Sequence, residues 1–277
     1  MTMGTEAPLD EVTVTQRLLA VAPSRGERRA LVQDAAGQSY TYAELAVTVR
    51  AAAAGLAWRG LQPRDAVGVY VPDVTCYVLA VHAIRAAGGV PTPLAASLTV
   101  PEMAGQLADC GARMLLTAPP LAAAALAAAD RSWVRQVISF GEAPDTTLFS
   151  SLLGMGSLRP ATGRPHDPAL LPYTRQADGV LGREPLSHHD LSRLLRKLEN
   201  DAGIGEEDVV LAAPPVGDGR CYTALVDHAL LCGATVVSAP ADDLAAAADL
   251  HHGTAIIVAG SVAVGARERL RVFAVTS

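Results

Sequence analysis

The chain has 277 residues and a formal net charge of −6, from 22 basic and 28 acidic side chains. That balance offers a phosphate backbone little to hold, which argues against a nucleic-acid partner. Half the residues are hydrophobic and 18% are charged, enough for the core of one large domain or two smaller ones. The alanine-rich runs Ala51–Ala54 and Leu121–Ala129 fall well short of the roughly 18 apolar residues that would span a bilayer. The first twenty residues carry Glu6, Asp10 and Glu11 and lack a signal-peptide core, so a cytoplasmic protein without a membrane span is expected. Cys76, Cys110, Cys221 and Cys232 are scattered with no CxxC and read as reduced, mostly buried thiols with no metal site.

In chain order, Glu11–Val21 has helical apolar spacing and Ala30–Val32 reads as a short strand. Thr41 N-caps a helix with Glu44 as its capping-box partner, and Gly60 stops it after Trp58. Ala66–Val71 is an apolar run suited to a strand buried on both faces. Helix Val74–Arg85, extended Val90–Leu94, helix Val100–Cys110 with Pro101 at its start, and strand Met114–Thr117 follow. This alternation predicts βαβ crossovers in a mostly parallel sheet. An alanine-rich helix (Leu121–Asp130) and a strand (Val134–Phe140) come next. Gly141–Pro165 reads as a connector with one short helical piece near Thr147–Leu153, and marks a border between subdomains 1–160 and 161–277.

Ala169–Tyr173 is a short apolar run read as a buried strand that ends or bends at Pro172. Thr174–Glu184 is polar and turn-forming, with Gly179 and Gly182 free to take positive φ. Ser187 opens a helix with Asp190 three residues on, a capping box with Asp at the third position. Leu191, Leu194, Leu195 and Leu198 form its apolar face. Strand Val209–Ala213, helix Tyr222–Leu231, strand Gly233–Val237, helix Asp243–Leu250 and strand Thr254–Val258 complete the pattern.

Residues 167–188 resemble the ATP-phosphate loop of the adenylate-forming superfamily, which includes acyl-CoA synthetases, 4-coumarate–CoA ligases, luciferases and peptide-synthetase adenylation domains. Asp167, Pro168, Tyr173, Thr174, Gly179, Leu186, Ser187 and His188 agree with the family pattern without a gap. Framework words Tyr40–Leu45, Gly60–Asp65, Ala87–Leu94 and Asp109–Arg113 are similar to the family's N-terminal core. The resemblance implies an α/β fold of two βαβ-type layered sheets flanked by helices. It also implies that the adenine motif, the ribose-binding Asp, the hinge and the mobile C-terminal domain would lie beyond Ser277.

The residues that do the family's chemistry differ. The family's loop Ser falls on Arg175, its first Gly on Gln176, its two Thr on Ala177 and Asp178, and its Lys on Gly182. The family His of a second motif falls on Gly217. The degenerate phosphate-loop positions are therefore Thr174, Arg175, Gln176, Ala177, Asp178, Gly179 and Gly182. Three hydroxyls and an ammonium that would grip phosphate are gone, and Arg175 and Arg183 are planar forks rather than point charges. The chain's single lysine, Lys197, lies mid-helix beside Arg193 and Arg196.

Other constellations have simpler readings. Ser187, His188 and Asp190 are neighbours on one helix start and read as a cap, not a catalytic triad. His251–His252 reads as a contact with a helix C-terminus. Gly260–Arg267 lacks the Lys and Ser/Thr of a phosphate loop, and His82 and His228 read as core or rim residues. The expectation is a catalytically inactive, truncated acyl-CoA synthetase-like protein. It would act through a protein partner, a second copy or an acyl-type small molecule, with no catalytic residue, cofactor or metal. Apolar surface left by the truncation would favour that partner. The alternative is one subunit of a split ATP-dependent carboxylic acid–thiol ligase, in which ATP and Mg would return. A decayed fragment without selected function is the third reading.

Overall fold

The computed structural model describes residues 12–33, 37–156, 164–177, 179–213, 219–259 and 270–275. Side-chain caps start most of the helices. Thr13, Thr41, Thr99 and Ser187 each accept from the backbone N–H three residues on, and Gln16, Glu44, Glu102 and Asp190 reach back to complete capping boxes. In chain order the main elements are α1 (Val14–Arg25), β1 (Arg29–Gln33), β2 (Gln38–Thr41), α2 (Tyr42–Trp58), β3 (Ala66–Tyr70), α3 (Val74–Ala86), β4 (Val90–Pro93), α4 (Val100–Asp109), β5 (Met114–Thr117), α5 (Ala122–Ala129), β6 (Gln136–Ser139) and β7 (Thr147–Leu148). Then come β8 (Pro168–Leu170), β9 (Tyr173–Arg175), β10 (Leu181–Arg183), β11 (Leu186–Ser187), α6 (His188–Asp201), β12 (Val209–Ala212), α7 (Gly219–Cys232), β13 (Thr235–Ser238), α8 (Leu244–Leu250), β14 (Ala255–Ala259) and β15 (Arg271–Val275).

Two larger sheets result. One has the order β4-β3-β5-β6-β7 and is parallel throughout. The other has the order β15-β14-β12-β13-β1-β2 and is parallel except for the β1–β2 pair. Helix α3 lies between them, touching β3 and β4 of one sheet and β1 and β13 of the other. All thirteen of its residues are buried, and all but Thr75, His82 and Arg85 are apolar. Helices α4 and α5 cover the outer face of the first sheet, around Leu107, Leu115 and Ala125. Helix α8 covers the outer face of the second, around Leu211, Val237 and Leu244.

The βαβ alternation and the two-sheet α/β class agree with the sequence reading. Several details differ. Residues 38–41 and 271–275 form strands that the sequence reading did not expect; Gln38, expected to close a turn, starts the first, and Thr41, expected as the cap of α2, ends it. Pro101 is the second helical residue of α4, behind Thr99 as cap. The piece near 147–153 begins as strand β7 before one 3-10 turn at Phe149–Leu152. Cys76 is buried and the other three cysteines are partly buried against the core, in line with the mostly buried thiols expected. Gly260–Arg267 lies outside the described residues. Among the described residues no helix is long and apolar enough to cross a membrane.

That 3-10 turn packs directly on α2 through Gly55. A Cβ there would sit 2.5 Å from the Leu152 carbonyl oxygen and 2.6 Å from its Cα. Backbone cannot step aside as a side-chain tip can. Gly55→Ala should therefore cost at least the roughly 1–3 kcal/mol of overpacking, against the small gain alanine normally brings to a helix interior. Urea unfolding of the variant tests this, and a gain in stability would refute the contact.

Candidate functional site

The segment between Asp167 and His188 folds as two nested antiparallel pairs. The outer pair is β8 with β11, and the inner is β9 with β10 in the register Tyr173–Arg183, Thr174–Gly182 and Arg175–Leu181. The polar stretch expected to be a turn from Thr174 to Glu184 is thus a β-hairpin, with only its tip as turn. At the tip Gln176 N–H donates to Val180 O at 2.8 Å and Gly179 N–H to Gln176 O at 2.9 Å. Gly179 has φ of 82°, which glycine takes without strain. Thr174, Arg175 and Gly182 lie on the hairpin strands, and Gln176, Ala177 and Gly179 in the turn. Asp178 and Gly217 lie outside the described residues.

The hairpin is tied to α4. The Arg175 guanidinium meets Glu102 Oε1 at 2.6 Å and donates to Gly179 O at 2.8 Å. Tyr173 O–H donates to Asp109 Oδ2 at 2.5 Å, and Arg183 Nε sits 3.3 Å from the same oxygen. Glu102 and Asp109 are two helical turns apart and so share one face of α4. A third tie closes the other side: Thr174 Oγ1 donates to Glu184 Oε1 at 2.7 Å, and Arg220 of α7 reaches Glu184 Oε2 at 3.3 Å. The Thr99 hydroxyl and then Arg175 hold the Glu102 carboxyl down to about 2. Burial and the bond to Asp109 push the Tyr173 phenol up. Both arginines of the degenerate loop are therefore engaged with carboxylates of one helix.

Beneath the outer pair lies a buried ionic cluster. Arg85 of α3 donates through Nε to Ala169 O at 2.8 Å and through Nη1 to Asp227 Oδ2 of α7 at 2.9 Å. His82 Nε2 lies 3.2 Å from Asp227 Oδ1 without hydrogen-bond alignment, and its Nδ1 is 2.9 Å from Thr15 Oγ1 of α1. All four residues are at most 5% exposed. Burial raises the Asp227 pKa, but Arg85 and His82 outweigh it and leave the carboxyl below its ordinary value. Close by, His188 has a buried Nδ1 with no hydrogen-bond partner among the described residues. Burial, and then repulsion by Arg85, lowers its pKa to about 4.

Ser187, His188 and Asp190 form no triad. The Ser187 hydroxyl donates to Asp190 Oδ2 at 2.6 Å while accepting from Asp190 N–H at 3.1 Å, the closed geometry of a cap. The sequence reading missed Glu102 and Asp109 as partners of the hairpin. His82, expected as a core or rim residue, is indeed buried; what the sequence reading missed is its contact with Asp227. The available signal was His82 and Arg85 at helical spacing inside an otherwise apolar helix, with Asp227 equally out of place in α7.

A family profile described as AMP-binding enzyme fits residues 19–264. This chain belongs to the AMP-binding enzyme family. Triostin synthetase I of Streptomyces triostinicus is 29% identical over 192 residues, covering 69% of this chain and 36% of that protein. A feruloyl-CoA synthase of Amycolatopsis sp is 29% identical over 201 residues, covering 73% of this chain and 39% of its own length. The chain thus spans well under half the length of these curated relatives. A long-chain-fatty-acid–CoA ligase of Archaeoglobus fulgidus superposes with a TM-score of 0.81 at 21% identity, over 93% of this chain and 54% of that one. The last likeness speaks for the fold alone. The family match agrees with the resemblance read from Tyr40–Leu45, Gly60–Asp65 and the segment after Asp167.

Proposed function

We propose that this chain is a non-catalytic member of the AMP-binding enzyme family that works by binding an acyl-type small molecule or another protein, rather than by forming adenylates. One observation carries the reading: the hairpin at the phosphate-loop position satisfies itself. A phosphate needs converging N–H groups, hydroxyls and a free cation. Here Gln176 and Gly179 give their N–H groups to the hairpin's own carbonyls. The Thr174 hydroxyl is spent on Glu184, and Arg175 and Arg183 are paired with Glu102 and Asp109. Gly182 carries no cation at all. The described residues therefore do not fit the triphosphate of ATP, and no adenylation step is derived for them.

The test is thermal melting of the purified chain with and without millimolar Mg-ATP. A nucleotide bound at many times its Kd would raise the midpoint by linkage, on the order of several degrees for a protein of this size. The expected result is no shift. A clear shift would mean that the arginines leave α4 to meet phosphate, and the split acid–thiol ligase would become the better reading.

A further inference from the structure

Behind the hairpin lies a cavity of about 280 Å³. For scale, a cavity of about 150 Å³ with apolar walls takes up benzene. Its walls are mainly apolar: Val69, Tyr77 and Leu94 on one side, Leu98 near the rim, and Pro172 and Leu181 from the hairpin segment. The charged group at its edge, Arg175, is neutralised by Glu102 at 2.6 Å. A carboxylate entering here would lose its water without gaining a free counter-charge.

Two polar groups of the lining are not committed: the Ser97 hydroxyl at the exposed rim, which water can reach, and the buried Gln106 amide. Gln106 of α4 is 3% exposed. Its Nε2 donates to Thr92 Oγ1 and to Pro93 O, both at 2.9 Å. Since Pro93 O can only accept, these contacts fix which end of the amide is nitrogen. Both N–H bonds are then used, Oε1 has no hydrogen-bond partner among the described residues and is not fully sealed, and Gln106 lines the cavity. Tyr77 and Thr174 spend their hydroxyls on Thr223 and Glu184. The cavity therefore offers mainly apolar walls, one buried acceptor at Gln106, the Ser97 hydroxyl at its exposed rim and no net charge.

We infer that this cavity is a binding site for a neutral, ring-sized molecule that carries one hydroxyl or N–H donor, with Gln106 Oε1 as the acceptor that orients it. A ring fills the space between Tyr77, Leu94 and Leu181, and its donor satisfies an oxygen that otherwise lies on an apolar wall without a partner. A bare hydrocarbon would leave that oxygen unpaired, and an acid would bring an unmatched charge. The assignment is independent of whether the hairpin binds ATP, because it rests on Gln106 and the walls rather than on phosphate contacts.

The experiment is calorimetric titration of the full chain with 2-naphthol, naphthalene and 2-naphthoate in parallel. The phenol should bind, the hydrocarbon about five-fold more weakly for want of one neutral hydrogen bond, and the carboxylate most weakly. Gln106→Leu should bring naphthol down to the affinity of naphthalene. Leu98→Trp, which fills the space from the rim without touching the Gln106 bonds, should weaken all three together. Circular dichroism and melting of each variant separate a loss of site from a loss of fold. Naphthoate binding as tightly as naphthol would overturn the inference. So would Leu98→Trp leaving naphthol binding unchanged in a folded protein, or the absence of naphthol binding up to about 1 mM, the weak end of specific affinity.

Discussion

Asp227→Ala should lower the unfolding free energy by about 3–5 kcal/mol, the usual cost of removing one partner from a buried ion pair. Arg85 and Asp227 are each at most 5% exposed, so neither charge can turn to bulk water. Without Asp227 the guanidinium keeps, among the described residues, only the Ala169 carbonyl through Nε, and Nη2 already has no partner there. His82 loses its carboxylate at the same stroke. The pair itself need not stabilise relative to a hydrocarbon, because desolvation offsets most of its attraction. The double variant R85M/D227L should therefore recover most of the loss. Urea titrations of both variants check this. A loss under about 1 kcal/mol for Asp227→Ala would show that the cluster does not lock α3 to α7.

Acidification should destabilise the protein through His188 well before its carboxylates protonate. The imidazole has its folded pKa lowered from 6.5 to about 4, so between these values the unfolded chain binds the proton and the folded one resists it. Stability from this group is complete above pH 6.5 and is lost as pH falls towards 4. The total is about 3 kcal/mol, with a slope of at most one proton. His228 is also depressed, by burial, and adds to the same slope. The decisive comparison is thus between the parent and His188→Leu. The variant should match or exceed the parent near pH 5 and show a shallower decline from pH 7 to 4.5. Parallel curves for the two proteins would mean that His188 takes up its proton in the folded state with little penalty.

How much of this could be read beforehand depended on whether a feature was local. Thr41–Glu44 and Ser187–Asp190 span three residues, so their capping boxes were legible in the sequence and are present in the structure. The alternation from Ala66 to Thr117 announced a parallel sheet because each element carries its own period. The hairpin was not legible. Its strands are three residues long, too short for alternation to show, and Gly, Asp and Gln between them read as a loop. Its ties join Arg175 to Glu102 and Arg183 to Asp109, residues more than seventy positions apart, and no local pattern reports such a pair. Strand β2 was hidden for a similar reason: Gln38–Thr41 is polar and half-exposed and gains its shape from pairing with β1 alone. The Lys-to-Gly change at Gly182 was visible as a loss. That Arg175 and Arg183 had turned to α4 was not.

The placement of β1 bears on how this chain is made. Leu31 pairs with Val236, roughly 200 residues later in synthesis. A ribosome adds about 5–20 residues per second, so β1 and β2 wait on the order of 10–40 s before the strand that receives them exists. During that interval Ala30 and Leu31, which end fully buried, and the adjoining edge of β1 stand open to other nascent chains. The five-stranded sheet, assembled from residues 66–148, can form earlier. The chain should therefore emerge in two unequal stages, with its first strand among the last pieces to be set, and a chaperone that shields residues 29–41 would act on the slow step.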